Sequence, residues 1–172
     1  MLSITHREYH AVFSERQRRI HDFLNKNHVG VLATVDPNGD PHGAVVYQTI
    51  DKGFDISFLT KTGTKKYDNL VRDNHVVLIV FEPTSQAVAT VTGKAYEVVR
   101  DSDIEVVAAE IYDDNFRDKK NGVPPISKLQ AGDCVAFNII PDQIKMAEYA
   151  DSGVGDYEKI FESIESFELY AK

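Results

Sequence analysis

Hydrophobic and polar positions along the chain fall into short runs separated by turn residues. After a poorly patterned start at 1–13, the segment SERQRRIHDFLNKN (14–27) carries Ile20, Phe23 and Leu24 on one stripe. Ser14 and Gln17 stand at capping-box spacing, so a helix is predicted there. HVGVLATV (28–35) reads as a buried strand. The run DPNGDP supplies turn residues, and HGAVVYQTI (42–50) completes a predicted hairpin. Asp51-Lys52-Gly53 makes a second turn before a third strand, FDISFLT (54–60). At 64–73, Tyr67, Leu70 and Val71 share one face of a short helix. HVVLIVFE (75–82) is continuously apolar, as expected of a strand buried on both faces.

In the second half, QAVATVTGKAYEVV (86–99) reads as a long strand with a bulge or bend expected at Gly93. DSDIEVVAAEIYDDNF (101–116) predicts an amphipathic helix capped by Asp101 or Ser102, and 119–133 a loop. CVAFNIIP (134–141) and IKMAEYA (144–150) read as two further strands. In DYEKIFESIESFELY, apolar residues at 157, 160, 161, 164, 167 and 169 make a helix candidate, loosely attached or packed on a partner. The expected organisation is one domain over 1–150 and a helical tail over 151–172. Most strands are joined by turns too short for a parallel crossover. The fold class is therefore mainly β with peripheral helices: an antiparallel barrel of about six strands, closed so that its edges are hidden.

Charge and composition narrow the function. A net charge of −8, from 27 acidic and 19 basic residues, argues against non-specific nucleic-acid binding. No apolar run approaches ~18 residues and no basic-plus-apolar leader is present, so no membrane partner and a cytoplasmic location are expected. The single cysteine, Cys134, excludes an internal disulfide and reads as a small buried hydrophobe, unlike an activated thiol. His6 and His10 have the spacing of a zinc-binding helix, but Glu8 does not directly follow the first histidine and no third ligand is near; no metal site is expected. His28, His42 and His75 flank or start strands. Asp101, Asp103 and Glu105 fit an acidic first helical turn. No residue stands out as catalytic.

One corner resists a purely structural explanation. Thr60-Lys61-Thr62-Gly63-Thr64-Lys65-Lys66 joins the third strand to the short helix. Cations at a helix N-terminus oppose the dipole, and free N–H groups already stand there. Threonine hydroxyls, lysine ammoniums and a glycine that lets backbone approach closely suit a bound anion. The alternative is a polar loop with surface lysines. A nucleotide P-loop is excluded, since Phe58 stands where its first glycine belongs.

The succession of a strand, FLTKTGTKK, a helix, YDNLVRDNHVVLIVF and VTGKAYEV resembles the pyridoxamine 5′-phosphate oxidase-like family, the flavin-binding split barrels. FNIIPDQIKMAEY is similar to that family's closing strand pair, and the resemblance spans roughly 17–150. It implies a split barrel that binds FMN. By resemblance Thr60, Lys65 and Lys66 hold the phosphate, with Leu59, Lys61, Thr62 and Thr64 around it. The second strand, Val45, Val46, Tyr47 and Gln48, would line the flavin ring with its backbone. Gln86 and Val88 stand near the family's Arg-Gln pair. The resemblance further implies a homodimer with each cofactor at the interface. Apolar residues on elements peripheral to a single barrel, Tyr47, Phe81, Tyr96, Phe161, Phe167 and Tyr170, agree with such a pairing.

The match departs from the oxidase itself. Gly43 and Gln48 replace an Arg and a Lys that touch the flavin phosphate, and a gapless match puts Ala87 and Val88 at the Arg-Gln pair. The family's C-terminal Arg-x-His substrate motif is absent after Tyr149. Pyridoxamine phosphate oxidation is therefore not expected. Two functions stay open: an FMN-dependent oxidoreductase on a small molecule, or a non-catalytic flavin, haem or deazaflavin binder with a stress-related role.

Overall fold

The computed structural model describes residues 13–116, 125–128, 132–150, 161–165 and 168. The His6/His10 pair, most of the loop expected at 119–133 and much of the tail lie outside them. The elements are α1 (Glu15–Lys26), β1 (Val29–Val35), β2 (Pro41–Ile50), β3 (Ile56–Lys61), α2 (Lys65–Arg72), β4 (His75–Glu82), β5 (Ala87–Glu97), α3 (Asp101–Asn115), β6 (Cys134–Glu148) and β7 (Phe161–Glu165), with a 3-10 turn at Pro125–Lys128. Strands β3-β2-β1-β4-β5-β6 form one antiparallel sheet, and β3 pairs with β6 to close it. The protein is thus a closed six-strand barrel with peripheral helices, as its turn spacing predicts.

Side-chain chemistry sets the turns. Asp36 Oδ1 accepts from the N–H groups of Asn38 (2.8 Å) and Asp40 (3.1 Å), and Gly39 takes φ +88°. Asp51 repeats the device on Gly53 (2.7 Å) and Asp55 (2.9 Å). That turn forces Phe54 to φ +68°, a cost its ring offsets by burial beside Phe13 and His21. The capping box of α1 forms as expected: Gln17 N–H donates to Ser14 Oγ (3.2 Å) and Ser14 N–H to Gln17 Oε1 (2.8 Å). The cap expected for α3 does not. Arg100 takes the cap position without a side-chain cap bond and pairs with Asp103 at 3.3 Å.

The barrel interior is apolar. Leu32, Phe58, Leu78, Val91 and Ile139 are fully buried, and Ile20 and Leu24 of α1 close one end. Phe58 stacks on Phe137 with centroids 5.7 Å apart. A second cluster forms outside, where Val107, Ile111 and Phe116 of α3 and its C-terminal edge pack on Tyr47, Leu59 and Ala136.

Three expectations are corrected. Strand β4 is not buried on both faces: Ile79 and Phe81 are exposed on the outside of the barrel, because no helix of the described chain covers β1 and β4 there. The two strands expected at 134–141 and 144–150 are one, β6, running through Pro141. Proline survives there because the register shifts between Thr92 and Gly93, and Pro141 marks where β6 leaves β3 and takes β7 on that edge. A Cβ on Gly93 would stand 2.3 Å from Ile140 O, so the close approach requires glycine. The tail, expected to be helical, forms β7 at 161–165. The open edge of β6 at 143–147 supplies backbone partners, and Ile164 is buried in the barrel core.

The β4–β5 turn carries a pH prediction. Glu82 accepts from Thr84 N (2.8 Å), Ser85 N (2.7 Å) and Ser85 Oγ (2.6 Å), and these bonds lower its pKa from 4.5 to about 2. A carboxyl with a depressed folded-state value stabilises the fold above its unfolded pKa. That stability is lost as pH falls through the folded value. The urea midpoint is expected to drop as pH falls from 4.5 toward 2. Glu82→Gln should flatten that part of the curve; an unchanged slope would contradict the turn's contribution.

Candidate functional site

The corner singled out in the sequence sits where the barrel opens. Strands β2 and β3 pair only at Gln48–Phe58, Thr49–Ser57 and Ile50–Ile56. Beyond that point they part. Residues 59–61 of β3 continue on β6, while 41–47 of β2 continue on β1. A split therefore opens between Val45–Tyr47 and Leu59–Lys61, and among the described residues no strand pairs with the facing edges there. From the outer side Phe116 packs on Tyr47, ring centroids 4.8 Å apart.

The strand-to-helix connection is tightly built. Thr64 caps α2: its hydroxyl accepts from Tyr67 N (3.3 Å), donates to Lys61 O (2.8 Å) and lies 3.1 Å from the Thr60 hydroxyl. Thr60 is buried. Thr62 faces the other way, bracing the neighbouring loop: its N–H donates to Asp133 O (3.0 Å), and Asp133 N–H donates to its hydroxyl (3.0 Å). Gly132, at φ +66°, lies against it; a Cβ there would meet Thr62 Oγ1 at 2.1 Å. The N–H groups of Lys65 and Lys66, in the first turn of α2, have no acceptor within the helix.

The lysines divide. Lys65 Nζ lies 3.3 Å from Asp36 Oδ2, a carboxylate held almost out of solvent. The backbone bonds of Asn38 and Asp40, and then Lys65 itself, lower the Asp36 pKa. Lys66 Nζ stands 5.9 Å from the centre of the Phe58 ring. It is half-buried, and burial pushes its ammonium below the usual value. No carboxylate among the described residues lies within ion-pair distance of it. Lys61 is half-buried on β3, opposite Cys134. Cys134 itself is exposed, not buried as expected, because it is the first, outward-facing residue of β6. Burial of its sulfur still raises the thiol pKa, against the nearby Lys61.

The second-strand residues alternate. Val45 points outward and is exposed, while Val46 is in the core. Tyr47 is half-buried under α3. Gln48 is fully buried, its amide donating to Leu24 O and Asn27 O (2.9 Å each), so its side chain anchors the end of α1. Val88 is half-buried opposite Phe81, and Gln86 is exposed in the preceding turn at φ +52°. Two contributors went unnoticed in the sequence: Asp36, and Asn69, which is buried and donates to Thr34 Oγ1 (3.0 Å). An open groove of about 380 Å³ at the far end of α2, lined by Leu70, Arg72, Tyr96 and Phe137, includes none of the corner residues.

A family model described as pyridoxamine 5′-phosphate oxidase matches residues 17–131. No curated protein matches the sequence. Among solved structures, a heme binding protein from Mycobacterium smegmatis is 18% identical over 94% of this chain and 62% of its own, with a TM-score of 0.66. A pyridoxamine 5′-phosphate oxidase-related, FMN binding protein from Nostoc punctiforme is 14% identical over 90% and 98%, with a TM-score of 0.58. An F420 reductase is 22% identical over 72% and 94%, with a TM-score of 0.59. At these identities the likeness is one of fold.

Proposed function

The chain belongs to the pyridoxamine 5′-phosphate oxidase family, and from that premise we propose that it binds FMN at the start of α2 and uses it as an oxidoreductase on a small molecule. One observation carries this reading: Lys66 is a half-buried ammonium without a counter-ion among the described residues, beside the free N–H groups of a helix N-terminus. A buried cation is costly unless paired, and a phosphate supplies both the charge and the acceptors. Thr60 and Thr64 add hydroxyls on the same corner. The split between β2 and β3 offers backbone groups of Val45–Tyr47 for the ring. When bound, the flavin supplies the redox chemistry; the protein's part is to hold its phosphate and orient the ring.

The bare outer face of β2, β1 and β4 supports the homodimer. Val45, Val31 and Ile79 stand opposite one another across the three strands, with Val29 and Phe81 next to them, and all are exposed in a single chain. Contiguous apolar surface of this kind marks interfaces. Haem would require an axial ligand, such as His75, exposed and bonded through Nδ1 to Asp73 at 2.8 Å so that Nε2 is left for iron, or His42, half-buried on β2.

The test is an absorption spectrum after incubation with FMN and desalting. The expected result is flavin bands at about one FMN per chain, given a largely preformed site. A colourless protein would overturn the FMN reading, and a Soret band after incubation with haemin would favour haem.

A further inference from the structure

Helix α2 docks on the end of β1 through three contacts. Lys65 reaches Asp36, Asn69 donates to Thr34 Oγ1, and Arg72 donates to Val35 O at 2.8 Å. Positions 65, 69 and 72 are spaced i, i+4, i+7 and so lie on one face of the helix. Lys66 lies on a different face with Leu70, turned toward Phe58 and the barrel end. Neighbouring lysines that look equivalent in sequence thus have different surroundings. One has a carboxylate held in place by two backbone N–H groups; the other has an aromatic ring and, among the described residues, no anion within ion-pair distance.

We infer that Asp36 withholds Lys65 from the ligand, so that Lys66 is the ammonium that meets the phosphate, and Asp36 thereby limits the affinity of the anion pocket. This rests on the proposed FMN site for its ligand half. The Asp36 carboxylate competes with a phosphate for Lys65, and its own negative charge near the helix start opposes an anion there. Asp36→Asn keeps the oxygen that accepts from Asn38 and Asp40, so the turn survives while the competing charge is removed.

The experiment combines FMN titration with urea unfolding on the full chain. Lys66→Met should weaken FMN binding at least about tenfold, the lower end for one charge-assisted hydrogen bond. Lys65→Met should change it less than about threefold, within the range of a screened surface charge. Asp36→Asn should tighten binding severalfold, and the Asp36→Asn/Lys65→Met double variant should lose the part of that gain that comes through Lys65. In unfolding, the two single changes should be non-additive, since they break one pair. Lys65→Met weakening FMN as much as Lys66→Met, weaker binding in Asp36→Asn, or additive unfolding would each overturn the inference. A wild-type chain that takes up no FMN would overturn the flavin reading and the ligand half with it; the unfolding cycle would still decide whether Lys65 serves Asp36.

Discussion

FMN uptake is expected to fall by at least about a hundredfold in Lys66→Glu, with the fold intact. Removing a charge-assisted contact costs about 1.5–3 kcal/mol, and about 1.4 kcal/mol is tenfold in affinity. The reversed charge adds repulsion against a phosphate in a half-buried place, where screening is incomplete. The free protein should tolerate the change. Lys66 has no ion partner among the described residues to lose, and its ammonium is already destabilised by burial. Lys65 is a poor site for the same reversal, because it would set a second carboxylate against Asp36. Flavin fluorescence quenching measures the affinity, and circular dichroism checks the fold. An unchanged affinity at moderate salt would place the phosphate elsewhere.

Phe81→Glu should convert the proposed dimer into a monomer of 19.3 kDa and reduce bound FMN. Phe81 is 59% exposed and Val45 63% exposed in the single chain, on a face otherwise made of Val29, Val31 and Ile79. A glutamate carries charge onto that face, and burying it unpaired on association is costly. Phe81 makes little of the barrel's own core, so the monomer should stay folded. Sedimentation velocity decides. Identical sedimentation of variant and wild type would contradict the proposed interface, and full FMN occupancy in a monomeric variant would contradict a shared site.

Local chemistry explains what could be read from the sequence. The limits of β4 at 75 and 82 follow from a continuous apolar run bounded by Asn74 and Pro83, and the capping box at Ser14 is a short-range signal. What escaped was set at long range. Pro141 looked like a strand end because its fit depends on Gly93, many residues away. The 161–165 segment looked helical because its apolar spacing is ambiguous, and the open edge of β6 chose strand. Alternation within 75–82 is masked by apolar residues on both faces, so the run read as doubly buried even though Phe81 was among the peripheral residues that suggested a pairing.

The site shows the same division. The crowding of threonines and lysines at 60–66 was visible in sequence, and so was the resemblance that gives it a ligand class. The separate surroundings of Lys65 and Lys66 were not, since Asp36 lies on another turn. A signal did exist: Lys65, Asn69 and Arg72 are polar residues at i, i+4, i+7 on a helix that must dock on a barrel. Gln48 is a further case: the resemblance marks its side chain only as standing in place of a phosphate-touching Lys, whereas its inward position on β2 commits its amide to the end of α1. The split between β2 and β3 depends on register, which no local pattern reveals.

The central claim is that a phosphate anchors the flavin at Lys66 and the start of α2. Parallel titrations of the wild-type protein with FMN and with riboflavin, which differ only by that phosphate, test it most directly. The account predicts FMN binding tighter by at least about a hundredfold, from charge-assisted contacts and the helix N-terminus together, and a preference that collapses in Lys66→Met. Equal affinities for the two flavins would contradict it.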